Sequence, residues 1–405
     1  MRIAILSDEY LPEGTRSHAR MLHELAVEFH TRGHQVVVVT PGQQFQTNRV
    51  EIGPLDGVQV WRFRMAPIRD VPKFQRAIRE SLIPWNAIRG IQSMGLNSQF
   101  DLCVNYSPSI FLGGLARYFM FKGAFVYLVL RDFFPQWIID EGLIKEGYLI
   151  ARYFRFIESL NYRASHVLAV QSHANIAAFK RMTPYLHPNI EVLYNWSNGQ
   201  LETQEPDFGK SLIEKEGLNN KTILFYGGNI GHAQDMSNLV RLARSLQTQP
   251  NVHMLLVGQG DEFILVQELV RDWSLTNVSV LPSITQSQYT SLLKEVDVGL
   301  FSLASNHTAH NFPGKLLGYM AAGIPILGSV NSGNDVTELI NESGAGLVSL
   351  NGNDEEFYAN ALSIVQSQIL REQQGKAANV LLNKVFSITS AVEQILSAYR
   401  HSKIS

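Results

Sequence analysis

Cysteine is almost absent from this 405-residue sequence: a single residue, Cys103, stands in the run FDLCVNY. A lone cysteine has no internal partner, which excludes a disulfide framework and predicts a reducing compartment. Its apolar neighbours predict a small core residue. Charge is scarce as well. Charged residues make up 17% of the chain, and a net charge of -2 excludes a global attraction to nucleic acid. Any basic surface must be local. No uninterrupted run reaches the roughly 18 apolar residues that a membrane span needs. The richest stretch, IFLGGLARYFMFKGAFVYLVL, is broken by Arg117, Lys122 and glycines. There is no Asp-x-Asp triplet and no group of His, Cys and carboxylates at ligand spacing, so neither a metal nor a resident cofactor is expected. Low-complexity tracts are missing. The opening MRIAILSDEY lacks the apolar core and cleavage site of a signal peptide and reads as a first strand, so secretion is not expected.

What is present is an alternation. Strand-like runs (RIAILS, QVVVVT, VQVWRF, DLCVNY, AFVYLVL, HVLAVQS) are separated by helical patterns near 16–32, 73–94, 109–121 and 148–163. This rhythm predicts βαβ units and a parallel sheet. After IEVLYNW comes a polar stretch without hydrophobic period, and then the plan restarts with TILFYG, VHMLLVG, VSVLP, VGLFS, IPILGS and AGLVSL. The expected organisation is an α/β chain of two doubly wound halves: 1–196, a connection over 197–221, 222–385, and a closing helix over 386–405. Ligands of such sheets bind at the carboxyl ends of the strands, which makes a cleft between the halves the expected site.

Two stretches suit an anion. In FYGGNIGHAQDM, residues 225–236, a strand ends in Gly227, Gly228 and Gly231 before a helix begins, so backbone N–H groups can approach a phosphate. A tight turn explains the same glycines sterically. In HNFPGKLLGYMAAGIPIL, residues 310–327, Pro313 fixes the first helical turn, Gly314 leaves its entrance open, and Lys315 sets a full charge beside the exposed N–H groups. The plain alternative is a solvated lysine.

Four motifs in this order, HELAVEFHTRGHQVVVVT, RDFFP, GGNIGHAQDM and YMAAGIPIL after a Pro-x-Lys turn, resemble the retaining nucleotide-sugar glycosyltransferases of family 4. The likeness extends to bacterial enzymes that build surface polysaccharides, including L-fucosamine transferases, and covers nearly the whole chain. It implies the GT-B fold, two Rossmann-like domains facing across a cleft, with acceptor binding in the amino-terminal half and nucleotide-sugar binding in the other. Carried onto this chain, it implies donor contacts from Gly14, Thr15, Gly227, Gly228, Asn229, Gly231, His310, Pro313, Gly314, Lys315 and Glu338. The donor is expected to be UDP-linked, the acceptor a saccharide on polyprenyl diphosphate, and the location cytoplasmic, peripheral on the inner face of the membrane. The chain also departs from the family. His310 and Gly318 stand at its two glutamates, leaving the ribose contact unassigned, and Asn229 and Gln234 stand at its basic pair. A sugar-nucleotide epimerase of the same architecture and a non-catalytic relative with a decayed donor site are the competing readings.

The stretch RDFFPQW follows an apolar strand at its carboxyl end, so Arg131 and Asp132 are expected at the reacting groups, with Phe133, Phe134, Pro135 and Trp137 as packing. As a turn cap Asp132 would be merely structural. Arg16 and His18, in the loop after the first strand, suit phosphate or acceptor, though His18 reads more plainly as an exposed residue of the first helical turn, and His34 as a helix-to-strand junction. Residues 69–89 hold five basic and two acidic side chains, with Phe74, Ile78, Leu82, Trp85 and Ile88 recurring at helical spacing and Pro84 expected to kink the helix. Lys73, Arg76, Arg79 and Trp85 are the membrane and acceptor candidates; packing of the apolar face on the sheet is the ordinary alternative.

Overall fold

The computed structural model describes residues 1–14, 17–68, 71–140, 142, 144–183, 189–199, 211–305 and 312–403. Two compact units result, Met1–Tyr194 with Ile388–Ser405, and Asn195–Ser387. The division falls close to the expected residue 196, but the closing helix, Ile388–Ser402, belongs to the first unit. It buries Ile388, Ala391, Val392, Ile395 and Leu396, and Gln394 donates to Glu191 Oε1 and Val192 O, both at 2.8 Å.

The first unit contains β1 (Arg2–Leu6), β2 (Gln35–Pro41), β3 (Val50–Leu55), β4 (Val58–Phe63), β5 (Leu102–Ser107), β6 (Phe125–Leu130), β7 (Val167–Val170) and β8 (Ile190–Val192). They form one sheet in the order β3-β4-β2-β1-β5-β6-β7-β8. β1 pairs in parallel with both β2 and β5, so the winding reverses there, at the strand ends where such sheets take their ligands. β5 and β6 are buried along their whole length, which is why they read as continuous apolar runs. Cys103 lies fully buried in β5, its thiol pushed up by burial. β3 was not anticipated. It pairs antiparallel with β4 through Asp56 and Gly57, both at positive φ (48° and 80°), a two-residue Asp-Gly hairpin turn.

The expected 73–94 helix is two helices, Lys73–Ser81 and Ile83–Ser93, with Pro84 in the first turn of the second. Their core side is a stripe other than the one the large side chains suggest. Ile83, Ala87, Gly90 and Ile91 are buried, whereas Phe74, Ile78, Leu82 and Trp85 are 74%, 48%, 46% and 56% exposed.

The second unit contains β9 (Thr222–Asn229), β10 (Val252–Gln259), β11 (Val278–Pro282), β12 (Val298–Ser302), β13 (Ile326–Val330) and β14 (Gly346–Leu350), all parallel, in the order β11-β10-β9-β12-β13-β14. Here the winding reverses between β9 and β12. The core gathers Leu224, Tyr226, Leu239, Leu256, Leu300 and Phe357 under the helices Met236–Ser245 and Asp354–Gln366. At the strand ends β9 and β10 come so close that a Cβ on Gly258 would stand 1.8 Å from Gly228 O.

Candidate functional site

The end of β9 and the helix Lys315–Ala322 build one seat in the second unit. Gly228 takes φ +132°, a conformation open to glycine, and nothing lies nearer to its free face than Lys315 Cε and Nζ, each 3.6 Å from where a Cβ would be. Lys315 Nζ sits 3.3 Å from the Tyr226 ring centroid, a cation–π contact. It makes no hydrogen bond or ion pair among the described residues. Only part of the side chain reaches solvent, and desolvation holds its pKa well below the ordinary lysine value. An ammonium partly withdrawn from water, with no carboxylate bonded to it among the described residues, gains from a bound anion. The preceding Gly314 faces open space, so the helix entrance is accessible.

Asn229 Nδ2 donates to Gln234 Oε1 at 2.7 Å, so the two neutral residues in place of a basic pair satisfy one another. At Gly231 a Cβ would lie 2.6 Å from Asn229 Nδ2 and from Asp261 Oδ1, two side-chain ends that would have to move aside. Pro313 precedes the entrance. Glu338 is exposed on the helix Val336–Ser343 and makes no hydrogen bond or ion pair among the described residues. His310 lies outside the described residues.

In the first unit, a second polar group gathers at the carboxyl ends of β1, β5 and β6. His18 Nε2, on the first turn of the helix Ser17–Thr31, stands 3.8 Å from Asp8 Oδ1 and 3.6 Å from Glu9 Oε2. Its ring stacks on Tyr106 at 6.0 Å and 19°. His18 is therefore not the exposed residue that its position in a first helical turn suggests. Asp132 is open to solvent, yet surrounding protein raises its pKa: desolvation outweighs the opposing charges of Arg131 and His18, and Asp8 adds to the rise. Arg131 is buried, with Nη1 donating to Leu193 O at 2.8 Å and Nη2 to Tyr194 O at 3.4 Å. Its guanidinium lies 5.8 Å from the Tyr106 centroid, so it braces the site from beneath, whereas the sequence placed it beside Asp132 at the reacting groups. Gly14 is buried and donates its N–H to Tyr10 O at 2.9 Å; a Cβ there would lie 2.7 Å from Glu9 Cγ. Thr15 and Arg16 lie outside the described residues, as does the side chain of Trp137. Phe134 packs on Phe154 at 5.1 Å, and Phe133 on Phe179 at 6.4 Å, as expected of packing.

The basic candidates lie on the exposed apolar stripe. Lys73 is exposed, Arg76 pairs with Glu80 at 2.9 Å, Arg79 donates to Pro67 O, and Arg89 lies 4.8 Å over the Trp85 ring. A second exposed stripe, Leu149, Tyr153 and Phe156 on the helix Leu149–Arg163, adjoins it through Tyr153 Oη donating to Ser81 Oγ at 2.6 Å. Sequence reasoning missed this second stripe, as it missed Asp8, Glu9, Tyr106, Tyr226 and Tyr289. Only Asp8 and Glu9 carried a usable signal, two carboxylates at the end of a first parallel strand.

Residues 210–380, nearly all of the second unit, match the family model described as glycosyl transferases group 1. The chain is similar to the colanic acid biosynthesis glycosyl transferase WcaI of Escherichia coli K12, 29% identical over 349 residues, covering 80% of this chain and 82% of that one. It is 20% identical over 219 residues to the glycosyltransferase WbjE of Pseudomonas aeruginosa, an alignment spanning 54% of either chain. Among solved structures, Anabaena HepE in complex with UDP superposes with a TM-score of 0.68 at 15% identity, covering 99% of this chain and 100% of that one, which establishes the shared fold. A seat with an unpaired lysine at a helix entrance, inside the matched residues, agrees with this likeness. The chain carries a group 1 glycosyltransferase module, on a fold of two Rossmann-like sheets, and is a glycosyltransferase.

Proposed function

We propose that the chain is a retaining enzyme that moves a sugar, an N-acetylated or 6-deoxy hexose, from a UDP-linked donor to a lipid-linked saccharide in the synthesis of a bacterial O-antigen or capsule. The observation that carries this reading is the Lys315 ammonium, partly desolvated and without an ion pair among the described residues, beside the glycine backbone of β9. The likeness to the colanic acid biosynthesis glycosyl transferase WcaI and to HepE, which binds UDP, and the family 4 motifs support the polysaccharide context and the nucleotide.

In this reading the bond from the anomeric carbon to the diphosphate oxygen breaks as a bond to the acceptor oxygen forms on the same face. The acceptor proton passes to the departing diphosphate. Charge grows on that diphosphate, so Lys315 and the helix N–H groups act most strongly at the transition state. Asp132 orients and polarises the acceptor hydroxyl, and Arg131 holds the backbone beneath it. The exposed aromatic stripe with Lys73, Arg76, Arg79 and Trp85 would seat the first unit on the anionic inner face of the cytoplasmic membrane, where a polyprenyl diphosphate headgroup lies. Among the described residues no helix is long and apolar enough to cross a membrane.

A panel of nucleotide sugars tested for thermal stabilisation checks the donor, since a ligand at 100 times its Kd should add about 2.7 kcal/mol. Product analysis with donor alone and with a lipid-linked saccharide then separates transfer from epimerisation. Failure of every nucleotide to stabilise, or turnover without an acceptor into an epimerised donor, would overturn the reading.

A further inference from the structure

In the second unit one tyrosine takes the room left by two glycines. Tyr289, on the helix Gln286–Leu292, holds Cε2 2.6 Å from where a Cβ on Gly227 would stand, and Oη 3.3 Å from where one on Gly318 would stand. Its ring also meets Phe225, 5.8 Å between centroids. The side chain therefore runs from the end of β9 to the first turn of the helix Lys315–Ala322. Gly318 follows Lys315 by three residues and shares its helix face, so the hydroxyl stands about one turn, roughly 4.5 Å along the axis, beyond the lysine position.

The Tyr289 hydroxyl makes no hydrogen bond among the described residues. Enclosure raises its pKa, so it remains a neutral group able both to donate and to accept. Tyr289 is half-buried, so the hydroxyl is available to a ligand in the seat. Two partnerless polar groups, Lys315 Nζ and Tyr289 Oη, thus border one seat floored by Gly227 and Gly228.

We infer that the Tyr289 hydroxyl hydrogen-bonds a ribose hydroxyl of the donor nucleotide, which makes Tyr289 the residue that selects a ribonucleotide where Gly318 offers no side chain. This rests on the nucleotide-sugar reading above. With the diphosphate at Lys315, the groups attached to it are the ribose on one side and the transferred hexose on the other. The hexose must stay open to the acceptor. The ribose does not react and fits the enclosed side, against Tyr289 and Gly227.

The test is calorimetry with UDP, 2′-deoxy-UDP and 3′-deoxy-UDP on the wild-type chain and on Tyr289→Phe, which keeps the ring and its packing. A neutral hydrogen bond predicts that the wild type favours UDP over one of the deoxy compounds by about three-fold to ten-fold. Tyr289→Phe should lose that factor for UDP, bind that deoxy compound as the wild type does, and keep the wild-type unfolding midpoint. Unchanged UDP affinity in Tyr289→Phe overturns the assignment and places the hydroxyl elsewhere, for instance on the hexose. An equal loss for all three ligands overturns it too, since that marks packing alone. A wild-type chain that binds no nucleoside diphosphate instead overturns the nucleotide-sugar reading, and the tyrosine's role with it.

Discussion

Beside the winding reversal of the first unit, Asp8 and Glu9 follow β1 and Asp132 follows β6, three carboxylates about one histidine. Beside the corresponding reversal of the second, Gly227 and Gly228 end β9 and Lys315 stands over Tyr226 with no carboxylate bonded to it. The topological place is the same and the charge is opposite. A parallel sheet supplies free strand ends at its reversal point in either unit. The residues at those ends then decide the ligand: an unpaired cation with glycine backbone suits a diphosphate, while a carboxylate cluster repels one and suits a hydroxyl that has a proton to give up.

This contrast breaks most visibly at Asp132. Asp132→Asn removes the charge but not the shape, and turnover should fall on the order of a hundred-fold, the scale for losing a group that orients the reacting hydroxyl. Nucleotide affinity and the unfolding midpoint should hold. If steady-state kinetics show unchanged turnover, Asp132 is a turn cap; if nucleotide affinity falls instead, the division of labour between the units is wrong.

The counterpart is Lys315→Ala. A hydrogen bond to an ionised group contributes roughly 1.5–3 kcal/mol, so nucleoside diphosphate affinity should weaken about ten-fold to a hundred-fold, and turnover at least as much because charge builds on the leaving group. Calorimetry with the free diphosphate decides it. Equal affinity and turnover would return Lys315 to the status of a solvated lysine.

A smaller effect sharpens the account of the first unit. Each basic residue near an anionic surface contributes about 1 kcal/mol, so Lys73→Gln should weaken binding to anionic vesicles about five-fold, and added salt should mimic it. Wild-type chain that ignores such vesicles at low salt would end the idea.

The smallest effect concerns stability. The depressed pKa of Lys315 means that the folded state binds its proton less readily than the unfolded chain does. Its contribution to stability is therefore present above the ordinary lysine value and is lost as pH falls through the depressed one. Urea midpoints of the free protein should thus rise relative to those of Lys315→Met as pH is raised from 7 toward 9.5. At neutral pH the Met variant should be the more stable. Parallel midpoints across that range would show that the ammonium is not desolvated.

Legibility from sequence followed the range of the interactions. βαβ alternation was readable because it is written in local periodicity, and the helix 286–294 came within two residues of the observed Gln286–Leu292. The hairpin at Asp56 and Gly57, which joins two six-residue strands, is equally local, yet only its second strand reads as one from the sequence. Tyr289 had no local signal. It matters only because Gly227 and Gly318, 62 and 29 residues away in the chain, leave it space.

By itself the sequence determined the two-sheet α/β plan and the core placement of Cys103, because each depends on neighbours within a helical turn or a strand. Tertiary structure decided which face of the 73–93 helices met the core. Small side chains at Ala87 and Gly90 let that face approach the sheet and turned Phe74 and Trp85 outward, a competition between two apolar stripes that no single-helix pattern resolves. It likewise sent Arg131 inward to the carbonyls of Leu193 and Tyr194 and set Lys315 over the Tyr226 ring, since the desolvation of a charge depends on groups brought together from distant parts of the chain.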